Sequence, residues 1–138
     1  MSQEHYKQDA HRWLKQSQAD LQAAGNSLTA GNYEWACFQA EQAGQKALKA
    51  VWYFHARDPW GHSLFKLIQD FPDAKVKQEL MGLAEDAKAL DKLYIPTRYP
   101  NGLPGITPAE VYTKKDARHA IQAAQRIIEA AERNLAES

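Results

Sequence analysis

The sequence predicts an all-α protein: an antiparallel, up-and-down bundle of four to five helices, with a proline-rich loop before the last helix. Two observations predict this fold. Hydrophobic residues recur at the helical period of about 3.6 residues in several long segments, whereas no segment shows the alternation of a strand. Short stretches with glycine, asparagine or proline separate these segments. Because the chain has 138 residues, we expect a single domain over residues 1–138.

Residues 33–56 predict the central helix, because the segment lacks proline and its interior glycine, Gly44, stands among good helix formers. One face of this helix is apolar, with small residues at its middle: Ala36, Ala40 and Gly44, spaced four apart. A neighbouring helix is therefore expected to approach closely there. The opposite face combines lysines with large aromatic residues, which we expect to form a homodimer interface because aromatic clusters dominate interface energies. These aromatic residues are Trp35, Phe38, Trp52 and Tyr53.

The segments around the central helix predict its neighbours in the bundle. Residues 5–30 carry the hydrophobic seam of a helix packed lengthwise on another, and a short turn then leads into the central helix, so these two helices are predicted to be antiparallel. Residues 64–71 predict a short helix, and residues 73–94 predict one further helical run. Thr113 is expected to cap the last helix, with Asp116 three residues later in a capping box.

Residues 94–112 predict a stiff, extended loop, because four of the six prolines lie there, at positions 96, 100, 104 and 108. This loop carries Arg98 and Tyr99 side by side. A guanidinium binds phosphate through two hydrogen bonds, and an adjacent aromatic ring stacks on a base. The alternative is that Arg98 pairs with a carboxylate of a helix and only fixes the loop.

A groove for a nucleotide or RNA is predicted between this loop and the polar side of the central helix. Lys46 and Lys49 lie on that side and form either an anion-binding strip or solvated surface charge. His62, near the start of the short helix, either contacts phosphate or caps and packs that helix. The predicted ligand-binding residues are therefore Lys46, Lys49, His62, Arg98 and Tyr99.

Composition excludes several classes of site and partner. The formal net charge is zero, so no overall field draws the chain to nucleic acid or membrane, and any anion site must be a local cluster. The single cysteine, Cys37, excludes an intramolecular disulfide and favours a reducing, cytoplasmic compartment. The sequence lacks an apolar stretch typical of a signal peptide or a membrane span. It also lacks paired histidines for zinc and a glycine-rich phosphate loop, so we expect neither metal nor cofactor.

Several short patterns follow one another along nearly the whole chain. In the central helix, Phe38 precedes a Gln-Ala-x-x-Lys-Ala-Leu-Lys pattern at residues 42–49. Residues 62–67 read His-x-Leu-x-x-Leu, and residues 94–100 read Tyr-x-x-x-Arg-Tyr-Pro. Trp13, Ala19, Asp20 and Leu21 in the first helix, and Tyr112, Thr113 and Ala117 at the start of the last, complete the set. Together these patterns resemble the HEPN (higher eukaryotes and prokaryotes nucleotide-binding) domain family.

The resemblance implies a bundle of four to five helices, often a homodimer with a polar groove near the dimer interface. Many members of the family are encoded beside a minimal nucleotidyltransferase and act as its toxin or antitoxin partner. Others are metal-independent ribonucleases with an Arg-x4–6-His motif. In this chain the histidine positions that the motif permits after Arg98 are residues 103–105, which are leucine, proline and glycine. Arg57 and His62 have the required spacing, but they lie in the turn after the central helix.

We therefore predict a HEPN-like, non-catalytic homodimer that binds a nucleotide or RNA, with the minimal nucleotidyltransferase of a toxin–antitoxin pair as a further partner. Two alternatives stay open. One is a metal-independent ribonuclease toxin that combines His62 with Arg98 or Arg57 at a displaced or degenerate site. The other is a pure protein-interaction module.

Overall fold

Helices make up the regular structure of the chain. The computed structural model describes residues 2–136, and every regular element in this range is a helix. The seven α-helices are α1 (Gln3–Ala30), α2 (Tyr33–Phe54), α3 (Leu64–Gln69), α4 (Ala74–Met81), α5 (Ala84–Asp91), α6 (Pro108–Val111) and α7 (Lys114–Ala136). This architecture confirms the predicted all-α bundle.

The three long helices, α1, α2 and α7, form the centre of the bundle. Only Gly31 and Asn32 separate α1 from α2, and the two helices pack lengthwise, so they are antiparallel as predicted. Gly31 has a left-handed φ of 84°, which ends α1 by returning its N–H to the carbonyl oxygens of the last turn. On its other sides α2 packs against α7 and the short helices α3 and α5. This position explains why α2 carries so many buried residues.

Gly44 is the point where the short helices come nearest to α2. A Cβ atom at this position would lie 2.8 Å from Leu64 Cδ2 of α3 and 2.8 Å from Leu90 Cδ1 of α5. Such distances are shorter than van der Waals contact, so only glycine fits without repacking. The small residues of the central helix therefore do admit close neighbours, as expected. These neighbours hold the start of α3 and the end of α5 beside α2.

The prediction of one helical run over residues 73–94 is wrong, because the chain forms two helices there. Gly82 ends α4, in keeping with the low helix propensity of glycine, and α5 begins at Ala84. The two halves pack on different partners: α4 lies against α3, whereas α5 lies against α2, α3 and α7.

The proline-rich segment, residues 94–112, is less extended than predicted. Tight turns run from residue 92 to 98, a 3-10 turn covers Pro100–Gly102, and α6 covers Pro108–Val111. Helix α6 forms because Pro108 has the backbone angle of a first helical residue, and Thr107 forms a capping box with Glu110.

The predicted start of the last helix is confirmed. Thr113 Oγ1 accepts the backbone N–H of Asp116 at 3.1 Å, and an oxygen of the Asp116 carboxylate accepts the backbone N–H of Thr113 at 2.9 Å. This reciprocal capping box satisfies two amide groups that would otherwise lack a partner. In the described part of the chain, no helix is both long and apolar enough to cross a membrane.

Candidate functional site

Tyr94, in the turn after α5, brings together two of the predicted ligand-binding residues. The His62 ring stacks on the Tyr94 ring, with centroids 4.9 Å apart and planes at 21°. The guanidinium carbon of Arg98 lies 4.9 Å from the centroid of the same ring. Because the chain turns tightly between residues 92 and 98, Arg98 returns toward Tyr94, and its Nε donates to the Tyr94 carbonyl oxygen at 3.1 Å. A histidine and an arginine from separate segments thus meet around one tyrosine.

Arg98 is held mainly by aromatic rings. Its guanidinium carbon lies 4.3 Å from the centroid of the Phe38 ring of α2 and 5.3 Å from that of Tyr99. Within residues 2–136 it forms no salt bridge, and its two terminal nitrogens donate to no protein acceptor. The alternative that Arg98 fixes the loop through an ion pair is therefore wrong for the described residues. The ring contacts hold the guanidinium in place and leave most of its donors free.

Glu41 is the site residue that the sequence analysis missed. It is fully buried, and its carboxylate accepts hydrogen bonds from Gln42 Nε2 and Gln45 Nε2, both at 2.8 Å. Burial raises the pKa of the Glu41 carboxyl to about 7, against these two hydrogen bonds, which lower it. Asp91 raises this pKa further, whereas Arg98 lowers it. A carboxyl group with a pKa near neutral is therefore connected to His62 through Gln45 and is close enough to Arg98 to respond to its charge.

A signal for Glu41 does exist in the sequence. It lies four residues after Cys37 and three before Gly44, so it falls within the apolar arc of the central helix and not on its polar side. A charged residue in a buried arc is rarely left without partners. Gln45, one turn later on the same face, is the partner that this reasoning would have indicated.

Asp91 and Gln45 fix the position of His62. The Asp91 carboxylate accepts from Ser63 Oγ at 2.7 Å and from the backbone N–H of Leu64 at 2.6 Å, so the end of α5 ties down the start of α3. Gln45 Oε1 lies 3.3 Å from His62 Nδ1. A small cleft of 170 Å³ opens at this point, lined by His62, Ser63, Asp91 and Tyr94.

The two predicted lysines make their contacts on the α1 side of α2. Lys46 Nζ pairs with an oxygen of the Asp20 carboxylate at 2.7 Å, and Lys49 Nζ lies 5.6 Å from the centroid of a Trp13 ring. Burial lowers the pKa of the Lys49 ammonium, against the attraction of Glu41. A separate groove of 520 Å³ runs along α1, lined by Arg12, Trp13, Lys15, Gln16, Ala19 and Lys46. The structure thus groups Arg98, Tyr99 and His62, while both lysines contact α1.

The four aromatic residues predicted for a homodimer interface fall into two pairs. Trp52 Nε1 donates to the Leu67 carbonyl oxygen at 2.9 Å, and the Tyr53 ring packs 5.6 Å from that of Trp13, so both are engaged within the chain. Trp35 is 48% exposed, and its ring lies edge-on to that of Phe38, with centroids 6.2 Å apart. Trp35 and Phe38 therefore form one patch with Arg98. The homodimer itself stays a prediction.

Arg57, the arginine with the sequence spacing of a ribonuclease motif, lines a different cleft. That cleft has a volume of 200 Å³ and also contains His55, Pro72 and Asp73. His62 instead contacts Gln45 and Tyr94, and Tyr94 is also the residue that Arg98 contacts.

Comparison with solved structures gives the same fold in several proteins. TT1696 from Thermus thermophilus is 40% identical, with a TM-score of 0.84 over 91% of this chain and 97% of its own. ST0689, described as an archaeal HEPN homologue, is 33% identical, with a TM-score of 0.74 over the same shares of the two chains, 91% and 97%. A HEPN domain protein from Thermotoga maritima is 27% identical, with a TM-score of 0.68 over 93% of this chain and all of its own.

Sequence comparison agrees with the structural one. The family model of the HEPN domain matches residues 10–134. Human sacsin is 32% identical over 103 residues, which are 70% of this chain but only 2% of sacsin. A protein of Methanocaldococcus jannaschii named "Putative toxin MJ1304" is 25% identical over 127 residues, which are 87% of this chain and 84% of that protein.

Proposed function

This chain belongs to the HEPN domain family, and from that premise we propose that it binds the phosphate groups of a nucleotide or RNA at Arg98 and His62. One observation carries the proposal: in the described residues the Arg98 guanidinium forms no salt bridge and its terminal nitrogens have no protein acceptor, while the exposed His62 contacts the same tyrosine, Tyr94. A guanidinium fixed by ring contacts loses little conformational freedom when it binds phosphate through two hydrogen bonds.

The aromatic residues around Arg98 favour a nucleic-acid ligand over inorganic phosphate. The Tyr99 side chain is 50% exposed directly beside Arg98, and Trp35 is exposed across the Phe38 ring. Exposed rings next to a phosphate-binding cation form stacking platforms for bases, and such stacking tolerates any base. The ligand is therefore a nucleotide or a single-stranded RNA segment, bound through phosphate and base faces.

The proposed function also includes a homodimer and a protein partner. Two copies of the chain associate through the exposed Trp35 indole, so that two Arg98 sites lie near one interface. The resemblance of this chain to a protein with "toxin" in its name supports a place in a toxin–antitoxin pair, with a minimal nucleotidyltransferase as partner. The single buried cysteine, Cys37, suits a cytoplasmic location for such a pair.

RNA cleavage is the alternative function, and a specific observation favours it. Arg98 and His62 contact the same tyrosine, Tyr94, although the sequence motif of the family's ribonucleases is absent after Arg98. Where one RNA segment contacts both side chains, the imidazole is able to take the proton of a ribose 2′-hydroxyl while the guanidinium neutralises the phosphate.

Binding and cleavage are separated by one set of assays on short, fluorescently labelled single-stranded RNA at a fixed salt concentration. We expect fluorescence anisotropy to show binding that Arg98→Ala weakens about tenfold or more, which corresponds to one strong charge-assisted pair. Arg126→Ala is the matched control, because Arg126 is an exposed arginine already paired with both oxygens of Asp86. Equal RNA affinity in wild type and Arg98→Ala contradicts the proposed site.

Gel analysis of the same samples tests the alternative. The proposal expects the RNA to stay intact with wild-type protein. Cleavage that His62→Ala abolishes, and that Arg126→Ala preserves, establishes the ribonuclease function in place of binding alone.

A further inference from the structure

We propose that the buried Glu41 acts as a positioning residue for His62: through the side-chain amide of Gln45, it fixes the imidazole tautomer so that Nε2 faces the ligand without a proton. The inference deepens the proposed function and rests on it for the identity of the ligand. The tautomer itself is a property of the protein without ligand. Neither Glu41 nor Gln45 needs to touch the ligand in this arrangement.

The side-chain amide of Gln45 has one favoured orientation. Gln45 is buried, and its Nε2 donates to Glu41 Oε2 at 2.8 Å. An ionised carboxylate only accepts hydrogen bonds, so it must face the NH₂ group of the amide and not its oxygen. The reverse orientation would bring two acceptors, Gln45 Oε1 and the Glu41 carboxylate, into contact inside the protein and would leave that carboxylate oxygen without its donor. Glu41 therefore determines which end of the Gln45 amide faces outward.

The Gln45 amide in turn determines which nitrogen of the His62 ring carries the proton. With its NH₂ group turned to Glu41, Gln45 presents Oε1 to His62 Nδ1, at 3.3 Å. An amide oxygen only accepts, so the hydrogen bond requires the proton of the neutral ring to be on Nδ1. The lone pair then resides on Nε2, which contacts no polar protein atom in residues 2–136. In the neutral ring this Nε2 accepts a hydrogen bond from a ribose hydroxyl or a base N–H of the ligand, and it donates to phosphate only in the protonated ring.

The His62 ring is restricted by the residues around it. His62 stacks on Tyr94 on one side, and the residues that follow it are tied to Asp91 by hydrogen bonds from Ser63 and Leu64. These contacts leave the imidazole little freedom to turn over and exchange its two nitrogens. The chain carboxylate–amide–imidazole therefore sets a single tautomer instead of a mixture.

The test requires a pH at which the Glu41 carboxyl is ionised. Its neighbours are Gln42 and Gln45 on its own helix, with Asp91 on α5 and Arg98 in the proline-rich segment acting on it by charge. Since burial raises the pKa of the Glu41 carboxyl to about 7, the carboxylate is ionised in most molecules at about pH 8.5. Measurements at this pH examine the arrangement in the form that fixes the amide.

The experiment is a long-range ¹H–¹⁵N correlation spectrum of the histidine rings in ¹⁵N-labelled wild-type protein at about pH 8.5. We expect His62 to show a protonated Nδ1 and an unprotonated Nε2, the reverse of the tautomer that neutral histidine prefers in water. A wild-type spectrum with the proton on His62 Nε2 overturns the proposal. This reading requires no variant, so it does not depend on whether a substituted chain folds.

Two variants test the two contacts of Gln45, one with His62 and one with Glu41. Gln45→Leu removes the amide oxygen that accepts from His62 Nδ1, so the Nδ1–H form of His62 should fall from the major to the minor species. Glu41→Gln keeps the shape but replaces the carboxylate with an amide that no longer dictates the orientation of Gln45, and the Nδ1–H population should fall as well. An unchanged His62 tautomer in either variant overturns the role of the corresponding contact.

Gln42→Leu is the matched control. Gln42 donates to the other oxygen of the Glu41 carboxylate at 2.8 Å but lies outside the path to His62, so the tautomer should stay as in wild type. A tautomer change in this control would show that any disturbance of Glu41 acts on His62, against the path through Gln45.

The same labelled protein distinguishes failure of this inference from failure of the proposed function. Titration with the labelled RNA used above measures binding, whereas the spectrum of the free protein measures the tautomer. RNA binding with the proton on Nε2 refutes the role of Glu41 alone. The expected tautomer without RNA binding refutes the ligand and leaves the positioning of His62 established.

Discussion

The guanidinium carbon of Arg98 lies 4.3 Å from the centroid of the Phe38 ring, which joins the proline-rich segment to the N-terminal part of α2. Glu41 follows Phe38 by three residues, so Arg98 also lies near the buried carboxylate and lowers its pKa. Together with the contacts to Tyr94, the Phe38 ring therefore positions the free donors of the arginine.

Phe38→Leu should weaken RNA binding about threefold to tenfold, because leucine fills the space but lacks the ring that holds the Arg98 guanidinium. Fluorescence anisotropy at fixed salt measures the change. Phe65→Leu is the matched control, since the Phe65 ring makes the same kind of contact with Lys88, at 4.8 Å, and leucine keeps the backbone N–H that donates to Asp91. Equal RNA affinities of the Phe38→Leu and Phe65→Leu proteins would contradict a role for the ring.

Glu41 should make the folded protein less stable as the pH rises. Burial raises the pKa of its carboxyl from 4.5 in the unfolded chain to about 7 in the fold, so the folded state holds the proton more tightly. The stabilisation that comes from the protonated Glu41 carboxyl is fully present below pH 4.5, and it is lost as the pH rises past about 7. We expect the free energy of unfolding to fall across this window by up to roughly 3 kcal/mol.

Urea denaturation at several pH values between about 5 and 8 measures this dependence. Other carboxyl groups and histidines also titrate, so the quantity to compare is the difference in unfolding free energy between wild type and Glu41→Gln. This difference should shift in favour of the variant as the pH rises, because glutamine has no charge to bury. A difference that stays constant with pH would show that Glu41 does not titrate in this range.

Much of the fold was predictable from the sequence because local rules determine it. The helical period identifies the long helices, and Thr113 with Asp116 marks the start of α7, since a capping box needs only residues three apart. The division at Gly82 is harder to predict, because glycine inside a helical pattern lowers helix propensity without always ending the helix.

The candidate site was predictable only in part. Arg98 and His62 were expected from their residue types and positions, but their meeting at Tyr94 depends on how α3, α5 and the following turn pack, which no sequence spacing shows. The pairing of Lys46 with Asp20 is likewise a contact between helices.

Thr113→Ala should destabilise the protein by about 1 kcal/mol, because the side chain caps α7 through the N–H of Asp116. Chemical denaturation gives the change in unfolding free energy. Thr29→Ala is the control: Thr29 is an exposed threonine that bonds only to the Gly25 carbonyl within its own helix, so its loss should be nearly neutral. Similar effects of the two substitutions would argue against the cap.

Trp35→Ala should raise the dissociation constant of the homodimer about thirtyfold or more, as expected for an aromatic residue near the centre of an interface. Sedimentation equilibrium over a range of protein concentrations measures this constant. Trp60→Ala is the comparison, because Trp60 is 85% exposed and lies in the turn before α3, outside the Trp35 and Phe38 patch. A monomeric wild type, or a dimer that Trp35→Ala leaves intact, contradicts the proposed interface.

Gly44→Ala should destabilise the protein although alanine is the better helix former. The gain in helix propensity is about 1 kcal/mol. Against it, the added methyl group would lie 2.8 Å from terminal methyl groups of Leu64 and Leu90, both fully buried, so the core between α2, α3 and α5 must repack. Overpacking of this kind costs roughly 1–3 kcal/mol, which makes the net effect zero to about 2 kcal/mol unfavourable.

Gly25→Ala separates the two contributions in Gly44→Ala. Gly25 lies inside α1, and a Cβ atom there meets no atom within 4 Å, so only the propensity gain applies and the protein should become up to about 1 kcal/mol more stable. Opposite signs of the two alanine substitutions in thermal or urea denaturation are therefore expected. If Gly44→Ala stabilises the protein as much as Gly25→Ala does, the close approach of α3 and α5 to α2 is incorrect, and with it the packing that holds His62 beside Tyr94.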